Sequence, residues 1–327
     1  MWTVEPEHIW KKRRAPGISG FMRLKNEAAY LDRAIASHLP GLDELIIVFN
    51  DCQDETPEIC ATWAARHPDK IKVFEYVPKV IPIGTPESLK IDPRSPNCIA
   101  NYYNFALSLT TRKIAIKIDG DHIAVTQRFA KICNRVRGNL PPKSRYPIYG
   151  LNITQNEKGE IVIYNYYEFS AGFAGDRGAK KGPPPFTSGD HAFYHVDETS
   201  WHTVDPVEGF EVMNLAGRSR FPRAALTYSF FHMKGMKPDR GTANWNIEGR
   251  KHLRSSWADN VLTPDSANLA SLAAMARRNP AYFRGVNLMS ELRTVIPELR
   301  VQTDAAPEAP IGIRERLADL WYRVAYP

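Results

Sequence analysis

The chain has 327 residues, 43% of them hydrophobic, and a formal net charge of +7, giving a pI near 9.1. That length holds one large domain or two around a sizeable core, and the composition excludes a collagen-like, low-complexity or disulfide-framed chain. Without a run of roughly 18 apolar residues, and with no apolar h-region in MWTVEPEHIWKKRRAPG, neither a membrane-spanning helix nor a secretory signal is read, and a cytoplasmic protein is expected.

After the basic run Lys11 to Arg14, GISGFMRLKNE predicts a strand from Ile18 to Leu24. AAYLDRAIASHL follows with helical spacing at Tyr30, Leu31, Ala34, Ile35 and Leu39. DELIIVFND predicts a second strand ending in Asn50 and Asp51. In DETPEICATWAARH, Thr56 before Pro57 reads as an N-cap followed by an N1 proline. KIKVFEYV is a third strand, Pro78 to Pro96 a proline-rich loop, CIANYYNFALSLT a helix and RKIAIKID a fourth strand. Strands alternating with helices imply an α/β fold with a doubly wound, largely parallel sheet.

Ligands of such sheets bind beyond the carboxyl ends of the strands, at the switch point. Arg23, Asn26, Asp51, Asp119 and Asp121 all lie at strand ends and can line one crevice. Asp119 and Asp121 flank Gly120 where the fourth strand stops. Two like charges turned to one cavity invite a divalent cation, whereas the same residues in an open turn are merely solvated.

Beyond Gly138, YPIYGLNIT and EIVIYNYYEF read as antiparallel strands with NEKG as their hairpin turn. SAGFAGDRGAKKGPPPFTSGDH is either a mobile loop over a site or a plain surface excursion. ALTYSFFHMKGMKPDRG predicts a strand leading to His232, Lys234 and Lys237, and residues 266–300 read as mostly helical. Cys52, Cys60, Cys98 and Cys133 form no C-x-x-C pair, which suits reduced thiols.

Over roughly residues 16–235 the order of these motifs resembles the A-type glycosyltransferases, most closely the family 2 group that makes bacterial surface glycans. In that family the first strand ends in Asn-Glu, here Asn26 and Glu27. The second ends in an Asp-rich stretch closing with Asp-Gly-Thr, here Asp54, Glu55 and Thr56. An Asn-containing helix precedes the metal strand, here NYYNFAL with Asn104, and the Asp-x-Asp signature follows, here Asp119 and Asp121. The resemblance implies a nucleotide-sugar A-type fold with antiparallel acceptor-side strands and a helical C-terminal region. It implies a catalytic domain over residues 1–250, with a nucleotide-sugar half at 16–138 and an acceptor half at 139–250, and a helical extension at 251–327.

The resemblance further implies Arg23, Asn26, Glu27, Asp51, Asn104, Lys117, Asp119 and Lys234 against a nucleotide-diphosphate sugar, and Mn2+ or Mg2+ on Asp119, Asp121 and a later His, here His232. His122 is the alternative ligand, but strand alternation points it away from Asp121. The family's acceptor-side base is an Asp after a Glu. Here Glu208 is followed by Gly209, leaving Glu208, then Asp190, with Glu211 as a further candidate. The expected activity is inverting sugar transfer to a glycan or lipid-linked acceptor in surface polysaccharide or lipopolysaccharide synthesis. A nucleotidyltransferase would carry a Gly-rich phosphate loop, and RLKNEAAY has no glycine. A nucleic-acid-binding protein would concentrate Lys, Arg and aromatics on one face, and here they are scattered, so no nucleic acid is expected.

After the linker TDAAPEAP, Ile313, Leu317, Leu320, Trp321 and Val324 recur at helical spacing with Arg314, Arg316 and Arg323 outside the stripe. Such an amphipathic helix either docks on the catalytic domain or, through residues 311–327, lies peripherally on the inner face of an anionic membrane.

Overall fold

The computed structural model describes residues 2–82, 85–88, 90–155, 161–164, 191–204, 211–213, 219–220, 228–236 and 288–295. In chain order the elements are α1 (Pro6–Trp10), β1 (Ala15–Leu24), α2 (Ala28–His38), β2 (Glu44–Phe49), α3 (Thr56–Arg66), β3 (Ile71–Glu75), α4 (Ile99–Leu109), β4 (Arg112–Lys117), β5 (His122–Ala124), α5 (Thr126–Asn139), β6 (Ser144–Pro147), β7 (Tyr149–Gln155), β8 (Ile161–Tyr164), β9 (Ala192–His195), β10 (His202–Val204), β11 (Glu211–Met213), β12 (Ser219–Arg220), β13 (Tyr228–Gly235) and α6 (Leu288–Val295). They fall into two compact units: Met1–Ile148 with Glu168–Lys181 and Gly189–Ala224, and Tyr149–Tyr167 with Gly182–Ser188 and Ala225–Pro327. Among the described residues no helix is long and apolar enough to cross a membrane.

The first unit is built on a seven-stranded sheet in the order β12-β6-β9-β4-β1-β2-β3. Strands β4, β1, β2 and β3 run parallel, as the alternation of strands and helices predicts. β9 is antiparallel to β4, and β6 to β9. The chain steps outward from β1 to β3, then returns to the other side of β1 as β4. That reversal makes the gap between the carboxyl ends of β1 and β4 the switch point.

A parallel sheet covered on both faces needs continuous apolar strands, which is why ELIIVF in β2 is buried at all but its last residue. Phe21, Ile46, Val48 and Ala115, alternate residues of β1, β2 and β4, form one core cluster with Ile99, Tyr102, Tyr103 and Ala106 of α4. The Tyr102 hydroxyl lies 2.8 Å from the Val48 carbonyl and 3.2 Å from that of Leu24, joining α4 to the carboxyl ends of β1 and β2.

At the opposite end, the buried Glu44 carboxylate accepts from the Ser19 hydroxyl at 2.5 Å and from the Thr111 amide and hydroxyl, both at 2.7 Å. Ser19 in turn accepts from the Arg112 amide at 3.0 Å. A buried carboxylate is tolerable only when its oxygens are satisfied in this way.

Three element boundaries differ from the sequence reading. β1 begins at Ala15, three residues earlier than Ile18. α2 stops at His38, because Pro40 turns Leu39–Gly41 into a 3-10 turn. Glu55 rather than Thr56 is the N-cap of α3. Thr56 is already helical, and its hydroxyl accepts the Glu27 amide at 2.8 Å.

In the second unit β7 pairs antiparallel with β8, as the sequence predicts, and parallel with β13. A Cβ at Gly150 of β7 would fall on the Phe230 ring of β13, so only glycine admits that ring. Tyr228 of β13 and Glu291 of α6 are hydrogen-bonded. The NEKG turn, the Gly- and Pro-rich segment up to Asp190, TDAAPEAP, the amphipathic segment 311–327 and most of 266–300 lie outside the described residues.

Candidate active site at the switch point

Arg23 near the end of β1 and Lys117 at the end of β4 sit in the strand positions that face α4. There they meet Tyr103. The Arg23 Nη2 donates to the Tyr103 hydroxyl at 3.0 Å, and its guanidinium carbon is 4.5 Å from that ring's centroid. The Lys117 Nζ is 5.1 Å from the same centroid. His202 of β10 stacks on Tyr103 at 5.1 Å. Burial, helped by the charges of Lys117 and Arg23, lowers the His202 pKa to about 3, so its ring is neutral.

After Lys117 the strand breaks into a turn closed by the His122 amide donating to the Asp119 carbonyl at 3.1 Å. Gly120 is required by close approach: a Cβ there would lie 2.8 Å from Leu24 Cδ2 and 2.9 Å from Glu27 Cβ. The turn gathers charge around one oxygen. Asp119 Oδ2 lies 3.5 Å from Lys117 Nζ, 3.7 Å from His122 Nε2 and 3.7 Å from His191 Nε2. Burial acts to raise the Asp119 pKa, but Lys117, His122 and His191 together hold the carboxyl well below the usual range. Asp121 is buried, and an imidazole nitrogen of His122 lies within 4.8 Å of its carboxylate.

This corrects the expectation that His122 points away from Asp121. Alternation holds only while the chain is extended, and here residues 119–122 form a turn. His191 was missed altogether. Its only signal is its place beside Asp190 in SGDHAF, and its approach to Asp119 comes from β9 pairing with β4, a contact between residues far apart in sequence.

Asn26 adopts a φ of 53°, and its Oδ1 accepts from the Gln53 amide at 2.7 Å, so it joins the loops after β1 and β2. Asp51, φ 47°, is exposed and pairs with Lys25 at 2.7 Å. Asp54 accepts from the Ala28 amide at 3.0 Å and the Thr56 amide at 3.1 Å, tying the starts of α2 and α3 together. Asn104 is fully buried. Its Nδ2 donates to the His202 carbonyl and its Oδ1 accepts the His202 amide, both at 2.9 Å, which holds β10 on α4. His232 is buried on β13, in the second unit. Lys234 follows it on the same strand, and Glu211 opens β11. Glu208, Asp190 and Lys237 lie outside the described residues.

All four cysteines are free thiols, and burial pushes those of Cys60 and Cys133 up to about 12, which leaves them unreactive.

With this geometry in view, similarity to known proteins falls on the same part of the chain. Residues 11–140 match the family described as beta-1,4-N-acetylgalactosaminyltransferase (CgtA). That segment carries β1 to β4 and the Asp119–Asp121 turn, and the match bears out the resemblance to A-type glycosyltransferases. No curated protein matches the chain.

Two similar solved structures are more distant. Glucosyl-3-phosphoglycerate synthase from Mycobacterium tuberculosis, solved with Mn2+, uridine diphosphate and glucosyl-3-phosphoglycerate, is 22% identical over 36% of this chain and 37% of its own, with a TM-score of 0.23. S. aureus TarS residues 1–349 is 13% identical over 66% of this chain and 60% of its own, with a TM-score of 0.37. In the first of these comparisons the chain spans little more than a third of the length of the synthase.

Proposed function

We propose that this protein is a metal-dependent glycosyltransferase that moves a sugar from a nucleotide-diphosphate donor to a glycan or lipid-linked acceptor, with inversion, in the synthesis of a bacterial surface polysaccharide or lipopolysaccharide. The observation that carries the reading is the Asp119-Gly120-Asp121 turn at the carboxyl end of β4, next to β1, inside the segment that matches a glycosyltransferase family. Donor binding at that crevice draws on the two cations, Arg23 and Lys117, that flank it. The carboxylates suit a hard divalent cation, manganese or magnesium, which takes oxygen ligands.

The residues fit such an ion: Asp119 is held ionised and Asp121 is buried beside an imidazole. When bound, the cation neutralises charge growing on the diphosphate leaving group. The chain's own residues do the rest. Tyr103 packs beneath Arg23 and Lys117, fixing two side chains that would otherwise be mobile, and preorganised charge stabilises a leaving group at little reorganisation cost. A cytoplasmic location fits a donor of this class, and residues 311–327 would bring the protein to a lipid-linked acceptor.

The test is turnover of a panel of UDP-sugars, headed by UDP-N-acetylgalactosamine, with Mn2+ and either a glycan or a lipid-linked acceptor. Donor consumption that needs the metal, and that vanishes in both Asp119→Ala and Asp121→Ala while the fold persists, supports the reading. Metal-dependent turnover surviving in both variants overturns it.

A further inference from the structure

The two imidazoles around Asp119 are a donor set that an oxygen-only cation site does not need. We propose that His122 and His191, with Asp119, bind the metal directly and make this a site for a divalent transition ion, Mn2+ or Co2+, in preference to Mg2+. The inference rests on the glycosyltransferase reading for its biological sense, but its geometry stands apart from that reading.

Three features carry it. First, Asp119, His122 and His191 offer one ligand atom each, and these atoms all lie within 4.8 Å of one another. The carboxylate lies 3.7 Å from each nitrogen, beyond hydrogen-bond length. Two donors about 2.1 Å from one ion are about 3.0 Å apart at right angles and about 4.2 Å apart when opposed, so 3.7 Å is a spacing one ion can bridge.

Second, His191 is held as metal-binding histidines are. Its Nδ1 lies 3.2 Å from the Lys117 carbonyl, so that nitrogen donates its hydrogen to the backbone, and Nε2 is left on the side of Asp119 as the ring atom that would meet an ion. The two rings meet edge to face at 4.3 Å and 80°, and both are buried, which restrains their orientation before any ligand arrives.

Third, the chemistry of the donors is selective. Carboxylate and water suit magnesium and manganese alike, whereas added imidazole favours the first-row transition ions, with affinity rising from manganese toward cobalt. Lys117, 3.5 Å from the same Asp119 oxygen, opposes any cation there by charge and competes for the carboxylate.

The experiment uses the full chain freed of metal by a chelator, with Mn2+, Co2+ and Mg2+ added alone. Titration calorimetry is expected to rank Co2+ and Mn2+ above Mg2+. Electron spin-echo measurements on the Mn2+ complex should show coupling to imidazole nitrogen, a readout on the unaltered protein that needs no variant to fold. His191→Ala and His122→Ala should each weaken Mn2+ binding by roughly 10-fold or more. Lys117→Met, which keeps the aliphatic stem over Tyr103, should tighten it.

Bound Mn2+ without nitrogen coupling overturns the proposal, as does unchanged affinity in folded His191→Ala and His122→Ala, or no binding at millimolar Mn2+. If Asp121→Ala loses the ion while both histidine variants keep it, this donor set falls and the glycosyltransferase reading stands. If nitrogen-ligated Mn2+ is found but no UDP-sugar is consumed, the glycosyltransferase reading falls and the metal site stands.

Discussion

His38 and His202 are each almost fully buried, and burial is the first cause of pKa values of about 4 and about 3. Both stay neutral in the folded chain while the unfolded chain protonates them near pH 6.5. Below that pH the unfolded state therefore binds more protons, and stability falls as pH falls. Each histidine should cost about 2 kcal/mol by pH 5 relative to pH 7.5, a loss that flattens once each folded-state pKa is passed. Urea midpoints measured from pH 7.5 to pH 5 should fall steadily, and His38→Leu should make the slope shallower by one proton. The carboxylates make a second residue-scale prediction. Glu208→Gln should lower turnover roughly 100-fold to 10,000-fold with donor affinity nearly unchanged, as removal of a general base does. Asp190→Asn is its paired control: if that change alone stops turnover, Asp190 is the base.

At the scale of elements, the site is held by what joins α4 to the ends of β1 and β2. The Tyr102 hydroxyl makes that joint through the Leu24 and Val48 carbonyls. Tyr102→Phe keeps the ring in the core and removes only the hydroxyl, so the Val48 carbonyl loses the closer of the two contacts, while the Leu24 carbonyl still accepts from the Asn50 amide at 3.0 Å. The expected loss is about 1–2 kcal/mol, read as a lowered melting temperature. Because Tyr103 on the same helix turn underlies Arg23 and Lys117, donor affinity should fall with it. In the second unit the corresponding weak point is Gly150. A methyl there would displace the Phe230 ring from between β7 and β13, so Gly150→Ala should cost more than Tyr102→Phe and broaden or lower the thermal transition.

For the molecule as a whole, a ligand that binds only the folded chain raises its apparent stability. Mn2+ together with UDP at 100 times its dissociation constant should add about 2.7 kcal/mol, visible as an upward shift in melting temperature that Mg2+ matches only at higher concentration. Removing residues 310–327 tests the other end of the chain. If that segment meets a membrane, sedimentation with anionic liposomes should fall while the melting temperature holds; a lowered melting temperature with unchanged liposome binding instead means that it docks on the protein.

The sequence by itself determined the strands, the helices and their order over residues 18–117, boundaries apart. Apolar runs such as ELIIVF and the alternation in RKIAIK are local signals, and a sheet of four such strands with helical crossovers admits few topologies. It also placed Asp119 and Asp121 where a strand ends. The gathering around Asp119 was decided by tertiary structure alone. His191 reaches it because β9 pairs antiparallel with β4 across some 80 residues of chain. His122 reaches it because Gly120 lets the turn press against Leu24 and Glu27, which alternation cannot foresee. The roles of Asn104, Asn26 and Glu44 were likewise decided there. Such an amide or carboxylate takes whichever polar groups the fold brings within about 3 Å, and those partners are distant in sequence.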